Sequence, residues 1–329
     1  MTIRQRGALV IAITLFAAAG LASWVAPYDP GRQFPDHPFA PPMLPHVIDS
    51  SGHLRAPFVY PLHLVDPLER RYEEDRTRRI PLRWFGSSLA RVDGSDPWFP
   101  IGSDGLGRDV LSRVTLGARL SLGVAAAATA LALLLGISVG AAAGYAGGWI
   151  DATLMRAADG VLVLPAIYVV LALRGALPLV LTTTQVFVTM VAVLGVVGWP
   201  AVARGVRGIF VTERREEYAE AARALGAGPL RIALVHLLPA ARGFLGVQLT
   251  ILVPAFVLAE ATISFAGLGF AAPTPSWGAM LQDAASARAA SDAPWLLAPA
   301  AAIIVTVLVL HMASGRWASG LWTDASLTD

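Results

Sequence analysis

Long apolar stretches separated by short polar segments dominate the chain. A helix needs about 20 mainly apolar residues to cross the hydrocarbon core of a bilayer. Stretches of this kind cover residues 7 to 26, 120 to 143, 157 to 177, 183 to 203, 243 to 268 and 295 to 315. Backbone polar groups inside a bilayer must pair within their own segment, so each stretch is predicted to be helical. The pattern predicts an all-α polytopic membrane protein with six transmembrane helices.

Composition supports the same class. Hydrophobic residues make up 55% of the chain, charged residues 15%, and the mean hydropathy is +0.60. These values exclude an ordinary soluble domain. The absence of cysteine from the sequence excludes disulfides, thiol chemistry and iron–sulfur ligation. The net charge of +2 gives no support to nucleic-acid binding.

The first apolar stretch has two interpretations. Arg4 and Arg6 precede an uncharged run, as they would in a cleaved signal peptide. The run is long enough to span, and its best small-residue cleavage site, ending at Ala26, is followed by Pro27. We expect residues 1–26 to be a retained transmembrane anchor, with a cleaved signal as the alternative.

Arginines predict the topology, because basic loops remain in the cytoplasm. The connection between the fourth and fifth predicted spans contains Arg204, Arg207, Arg214, Arg215, Arg223, Arg231 and Arg242. This loop is therefore expected inside. With six spans, both termini are expected in the cytoplasm and residues 27–100 outside.

Residues 27–100 form a proline-rich insertion, which holds more than half of the 23 prolines of the chain. Proline breaks helices and central strands, whereas the many aromatic residues argue against disorder. We expect a small ordered periplasmic cap of turns and extended chain, with one helical stretch near Leu68 to Arg78. Contact with a solute-binding protein or a partner permease and a simple spacer role are both open.

A charged island, EYAEAARALGAGPLRIALVHLLP, follows the fourth span and predicts two short helices. Its acidic residues lie at the start of the first helix and Arg223 near its end, the charge order that favours the helix dipole. Gly226 and Gly228 allow a left-handed stop. Pro229 suits the first position of a second helix, which is expected to close before Pro239.

The same island resembles the EAA loop of binding-protein-dependent ABC transporter permeases. Glu220, Ala221, Ala222, Gly226, Leu238 and Pro239 stand at the spacing of that motif, and His236 before the Leu-Pro is similar to the dipeptide, oligopeptide and nickel branch. The further matching segments are PIGSDGLGRDVLSRVTLGARLSL, GYAGGWIDATLMRAAD and LAEATISFAGLGFAAPTPSWGAML. The resemblance implies a type I importer with a MetI-like fold over residues 101–323.

The resemblance also implies a function. The chain would be a permease subunit that forms half of an alternating-access pathway for di- or oligopeptides; nickel chelates or another small solute are the alternative. Residues 213–239 would be the ATPase-coupling loop, with contacts from Glu217, Glu220, Ala221, Ala222, Arg223, Gly226, Leu230, His236 and Pro239. A secondary transporter or a membrane scaffold is a more remote reading, because we see neither internal repeats nor ion-coupling residues in the spans.

The resemblance further implies partners in a bacterial inner membrane. They are a second homologous permease, two ATP-binding subunits and a periplasmic or lipid-anchored solute-binding protein. ATP and magnesium would be bound by the ATPase subunits, so this chain is expected to be no enzyme and to bind no cofactor or metal. The glycine-rich GSDGLGRD agrees, since it lacks the Lys-Ser/Thr of a phosphate-binding loop. In it we expect Asp104 to stabilise a turn, and Asp109 to start a helix and pair with Arg113.

A few residues within the spans are candidates for packing or for the pathway. Gly136, Gly140 and Gly144 recur every four residues and predict a close helix contact, within the subunit or against the second permease. Asp159 follows Arg156 by three residues and is expected to pair with it. Glu260 lies inside the fifth span, where it either lines the pathway or anchors the bend from Ser264 to Gly269.

Overall fold

The computed structural model describes residues 20–49, 52–85, 89–92, 96–163, 165, 168–169, 172, 181–286 and 289–325. The chain divides into two compact units. One contains the described residues of Gly123–Glu260 and Thr306–Asp329, and the other those of Thr14–Leu122 and Ala261–Val305.

Helices make up most of the described chain. They are α1 (Ala22–Val25), α2 (Val110–Ala146), α3 (Gly148–Val163), α4 (Thr183–Glu213), α5 (Glu217–Ala224), α6 (Pro229–Arg231), α7 (Arg242–Phe265), α8 (Trp277–Ser286), α9 (Ala289–Asp292) and α10 (Ala298–Ala325). Short 3₁₀ turns occupy Leu238–Ala241 and Pro294–Leu297, and a π-helical turn covers Ile232–Leu237.

Four helices of the described chain are long and apolar enough to cross a membrane. They are Val110–Ala146, Thr183–Glu213, Pro229–Phe265 and Pro294–Met312. They correspond to the second, fourth, fifth and sixth predicted spans. The first predicted span, residues 7–26, lies mainly outside the described residues, and the third, 157–177, lies partly outside them.

The proline-rich segment is built from β-strands, so the prediction of an all-α chain is wrong there. The strands are β1 (His46–Ile48), β2 (Leu54–Val59), β3 (Leu62–Asp66), β4 (Arg71–Glu74), β5 (Ile80–Trp84) and β6 (Ala90–Val92). An antiparallel sheet has the order β1-β2-β5-β6, and β3 and β4 form a separate hairpin. Short antiparallel strands tolerate proline near their ends, because only alternate residues donate to each neighbour.

The expected helix from Leu68 to Arg78 is also wrong. Asp66 Oδ1 accepts hydrogen bonds from the backbone N–H of Leu68 at 2.8 Å and of Glu69 at 3.1 Å. Such an Asx turn competes with helix formation by satisfying the same donors. The chain then enters β4, where Tyr72 lies opposite Leu64 of β3.

Aromatic and aliphatic side chains from the strands and from the flanking loops form the core of this cap. Its buried members are Ala40, Met43, Val59, Leu62, Ile80, Leu82, Ala90, Trp98 and Phe99. Trp98 Nε1 donates to Met43 O at 3.0 Å, and the Trp98 backbone N–H donates to the Tyr28 hydroxyl at 2.8 Å. Burial raises the pKa of Tyr28 to about 12. The cap is thus an ordered unit with paired polar groups.

Candidate coupling loop and buried charges

Helix α5 follows α4 after a three-residue turn, and its inner face is made of alanine. Ala219 and Ala222 are buried, whereas Glu217, Glu220 and Arg223 are exposed. Glu217 and Glu220 occupy the first turn and Arg223 the last, so the charges at both ends interact favourably with the helix dipole. Small inner side chains let α5 lie close to the rest of the unit while its charged face stays accessible.

The break after α5 has the geometry that its sequence predicts. Gly226 has a φ of +84°, which glycine adopts without the penalty of a Cβ. The Ala227 N–H donates to Ala222 O at 3.0 Å and the Gly226 N–H to Arg223 O at 2.9 Å. These two bonds form a Schellman motif, which satisfies the last carbonyls of α5.

The second part of the loop does not end where its proline predicts. Pro229 is the first residue of α6, as expected, but the chain then continues through the π turn and the 3₁₀ turn into α7. The Leu238 N–H donates to Ala233 O, five residues earlier, and Pro239 falls in the first positions of the 3₁₀ turn. Since those positions need no N–H donor, Pro239 does not terminate the helix.

The outward surface of the loop is partly apolar. Leu225 is 88% exposed and Leu230 72% exposed, whereas Ile232 and Leu237 face inward and are buried. His236 is half-buried within the π turn, and Ala221 and Pro239 are exposed. The loop therefore presents leucines beside glutamates to its surroundings.

Arg214 joins the loop to the end of α2, a contact that the sequence analysis did not identify. Its Nη1 donates to Gly144 O at 3.0 Å and to Tyr145 O at 2.9 Å, the carbonyls that α2 leaves unpaired at its C-terminus. Arg223 in turn donates to Arg214 O. The arginine-rich composition of the loop was a signal, but it did not indicate these acceptors.

Ion pairs connect α3 with α4. Asp159 pairs with Arg204 of α4, not with Arg156 as its spacing predicted. Asp151 accepts two hydrogen bonds from Arg207, from Nε at 2.5 Å and from Nη2 at 2.6 Å, and the first of these contacts lowers the pKa of Asp151. A planar guanidinium reaches a carboxylate on a neighbouring helix in this two-bond geometry. The contact of Asp159 with Arg204 on another helix therefore replaces the pair with Arg156 that was predicted within α3.

The glycine stripe of α2 lies against α4 within the subunit. A Cβ at Gly144 would come within 2.6 Å of Phe210 Cβ, and one at Gly140 within 2.9 Å of Val206 Cβ. A Cβ at Gly136 would overlap Val202. The two backbones approach so closely that only glycine fits along this contact.

Glu260 lies in α7 and is fully buried, at 0% exposure. This residue makes an interaction within the protein. A carboxyl at this depth is costly unless it meets a polar group or a hydrated cavity. Glu260 therefore does not face lipid in this structure.

A second set of buried charges lies at the N-terminal end of α2. Asp104 organises the turn as expected: its Oδ1 accepts from the N–H of Leu106 and of Arg108, both at 2.9 Å. Arg113, 1% exposed, pairs with Asp104 and with Asp283, so the expected pair with Asp109 is wrong. Its charge is neutralised by a residue 170 positions away.

Asp109 begins α2, as predicted, by a different contact. Its Oδ2 accepts from the Ser112 N–H at 2.7 Å and from the Ser112 hydroxyl at 2.6 Å. Burial raises the pKa of Asp109 to about 6, although the bonds from Ser112 oppose this shift. Among the residues that the structure describes, no group of three or more histidine, aspartate or glutamate side chains is placed to hold a metal.

Comparison with known proteins identifies a family and several relatives of similar sequence. Residues 132–318 match the family described as binding-protein-dependent transport system inner membrane component. The chain is 37% identical over 242 residues to the oligopeptide transport system permease protein OppC of Bacillus subtilis, covering 73% of this chain and 74% of that protein. It is 31% identical over 308 residues to the di/tripeptide transport system permease protein DppC of Pseudomonas aeruginosa, covering 93% and 83%.

A solved structure also matches. A chain of the MetNI methionine ABC transporter in inward-facing conformations has 20% sequence identity and a TM-score of 0.47, over 62% of this chain and 93% of that one.

The family match covers more than half of the described chain and includes α4 to α7 with the loop between them. This chain therefore belongs to the family of binding-protein-dependent inner membrane components and is a permease subunit of an ABC importer.

Proposed function

We propose that this permease forms half of an alternating-access pathway for di- or oligopeptides. The relatives named for peptide transport, OppC and DppC, support this solute class. Nickel chelates or another small solute of the same branch are the alternative, suggested by the histidine before Leu238. The observation that carries the proposal is the loop of α5 and α6, which is packed on buried alanines and exposes leucines and glutamates.

The loop is proposed to receive ATPase subunits. Its exposed Leu225 and Leu230 offer apolar contact area, and Glu217 and Glu220 offer acceptors for basic or backbone donors on a partner. Arg214 and the π turn connect this surface to α2 and α7. A displacement of the loop is therefore proposed to be transmitted to the membrane-spanning helices. ATP and magnesium belong, in this proposal, to the partner subunits.

The assembly is proposed to contain a second homologous permease, two ATP-binding subunits and a solute-binding protein, in the inner membrane of a bacterium. The arginine-rich loop supports a cytoplasmic position for α5, and both termini are proposed to lie on the same side. The domain boundaries proposed are 1–26 for an anchor, 27–100 for the cap and 101–323 for the importer domain with coupling loop 213–239. The cap then faces the binding protein or the partner permease.

The interior charges have two proposed roles. Glu260 is either a lining residue of the pathway or a buried anchor, and its complete burial favours the anchor. Asp159 is half-exposed and paired with Arg204, which suits a role in holding α3 against α4. The Gly136, Gly140 and Gly144 stripe serves packing within the subunit.

Solute-stimulated ATPase activity of the reconstituted importer tests the coupling proposal. Gly226→Pro should abolish the stimulation, because proline cannot adopt the positive φ of this position. Glu220→Arg should abolish it by reversing an exposed charge. Gly228→Ala is the matched control, since its φ is −71° and nothing lies within 4 Å of the added Cβ. Equal stimulation in all three variants would exclude the loop from the mechanism.

Solute class is tested separately with the parent complex. Dipeptides and oligopeptides should stimulate ATP hydrolysis and enter proteoliposomes, whereas a nickel chelate should do neither. Stimulation by the chelate alone would replace the peptide proposal by the alternative while leaving the permease function intact.

A further inference from the structure

Large apolar side chains are exposed at one end of the β-sheet of the cap. Phe85 is 75% exposed, Leu54 83% exposed, and Trp84 and Ile48 are about half-exposed. They share an end of the sheet: β2 runs antiparallel to β5 with Val59 opposite Ile80, so the start of β2 lies beside the end of β5, and Leu54 pairs with Ile48 of β1. We call Ile48, Leu54, Trp84 and Phe85 the apolar rim.

The rim is attached directly to α1. The Leu89 N–H donates to Trp24 O at 2.6 Å, and the Phe85 N–H donates to Leu89 O at 3.0 Å. The rings of Trp24 and Phe85 are 6.3 Å apart between centroids. Phe85 has a φ of +58°, an uncommon conformation for a bulky residue, so the backbone holds this exposed ring at an energetic cost.

The position of α1 indicates the depth at which the rim lies relative to the membrane. Helix α1 ends the uncharged run from Gly7 to Ala26, and Trp24 is itself partly exposed. The exposed Arg119 donates from Nη1 to Ser23 Oγ at 2.7 Å, at the same level. Tryptophan and arginine at the end of an apolar segment are typical of the membrane–water interface, where the ring lies among headgroups and the guanidinium reaches phosphate.

We infer that the apolar rim rests in the outer headgroup layer of the bilayer and fixes the cap to the membrane surface. The occupant is lipid, because the rim contacts α1 at the end of the proposed membrane anchor, on which this inference also rests. A water-facing rim would leave four large apolar side chains exposed to solvent at one end of the sheet. The orientation of the cap would then be determined by lipid as well as by its connections to α1 and α2.

Single-cysteine labelling tests this inference, and the parent chain has no cysteine to remove. Phe85→Cys and Leu54→Cys are labelled with a nitroxide in the full chain, assembled with its partner subunits and reconstituted into liposomes. Leu68→Cys is the control: Leu68 is 95% exposed, but it lies in a turn among Asp66, Glu69 and Arg70. Collision rates with oxygen, which concentrates in lipid, and with a water-soluble nickel chelate are compared.

The expected result is a several-fold higher ratio of oxygen to nickel-chelate collisions at Phe85→Cys and Leu54→Cys than at Leu68→Cys. Equal ratios at all three positions would show a water-exposed rim and overturn the inference. Low collision rates with both reagents would show a protein partner there and would also overturn it. As a second measurement on the unsubstituted chain, a phospholipid with a photoreactive headgroup should label peptides that contain Trp24 or Phe85; labelling elsewhere only would count against the rim.

Discussion

Buried charged residues at the N-terminal end of α2 differ in the polar partners that they contact. Arg113 and Arg108 share Asp104 and Asp283, so each charge faces an opposite one. Asp109 lies near the like charge of Asp104 and accepts hydrogen bonds from Ser112. Removing one partner from a buried ion pair is costly, whereas a lone buried acid is relieved by protonation. The two kinds of residue should therefore respond differently to pH.

Asp109→Asn should remove a pH dependence of stability. The folded-state pKa of Asp109 is raised from 3.8 to about 6, so between these values the folded protein holds a proton that the unfolded chain releases. Stability then falls as pH rises through this window, by on the order of 3 kcal/mol. Asparagine can still accept from Ser112, and apparent Tm in detergent should be higher for the variant at pH 7.5 and similar at pH 4.5. Parallel Tm curves for parent and variant would contradict this.

Glu260 gives a second prediction at this scale. Glu260→Gln should preserve assembly, because the amide can replace most of the polar contacts of the carboxyl. Glu260→Leu should lower the amount of assembled complex in the membrane, since its interaction partner would be left unsatisfied at about 1 to 3 kcal/mol. Thr262→Leu, at an exposed position of the same helix, is the control. Normal assembly and transport by the leucine variant would refute both the anchor and the pathway role.

At the scale of elements, the contact between α2 and α4 depends on the absence of side chains. A Cβ at Gly140 would overlap Ala203 O, and a backbone atom cannot move aside as a flexible side chain does. Packing of helices in lipid depends on such close approach. The same pair of helices is joined by Arg214 at the C-terminal end of each, so α2 and α4 behave as one packed pair.

Gly140→Ala should separate this pair and destabilise the subunit by about 1 to 3 kcal/mol, as overpacking does. The measurement is apparent Tm of the purified protein, with the assembled fraction from size-exclusion chromatography. Gly208→Ala on α4 is the matched control, because nothing lies within 4 Å of its added Cβ. A larger effect at Gly208 than at Gly140 would mean that a partner subunit, not α2, covers the critical glycine face.

At the scale of the whole molecule, the distribution of arginine predicts the topology. Cysteine placed at Ser51 or Ser95, which lie outside the described residues, should react with an impermeant reagent added to the periplasm. Cysteine at Ala227, in the loop between α5 and α6, should react only after the inner membrane is opened. The parent chain provides an unreactive background. Cytoplasmic labelling at Ser51 or Ser95 would overturn the six-span prediction and the placement of the cap.

Local pattern determined much of this protein. Apolar length alone predicted four of the helices that the structure shows, and the glycine and proline positions after α5 predicted its end and the start of α6. Both signals depend only on neighbours within a few turns, so they are independent of the tertiary contacts that the rest of the chain makes. The charged island was likewise found from local charge order.

Tertiary contact decided the remainder. Arg113 pairs with Asp283 and Asp159 with Arg204, because burial brings distant opposite charges closer than the neighbours three or four residues away. The sequence predicted extended chain in the cap but not the pairing of its strands, because proline acts locally while strand pairing joins segments far apart in the chain. The sequence by itself predicted the four long apolar helices that the structure describes and the place where the loop breaks. Packing decided which residues meet, since the free energy of a contact depends on both of its partners.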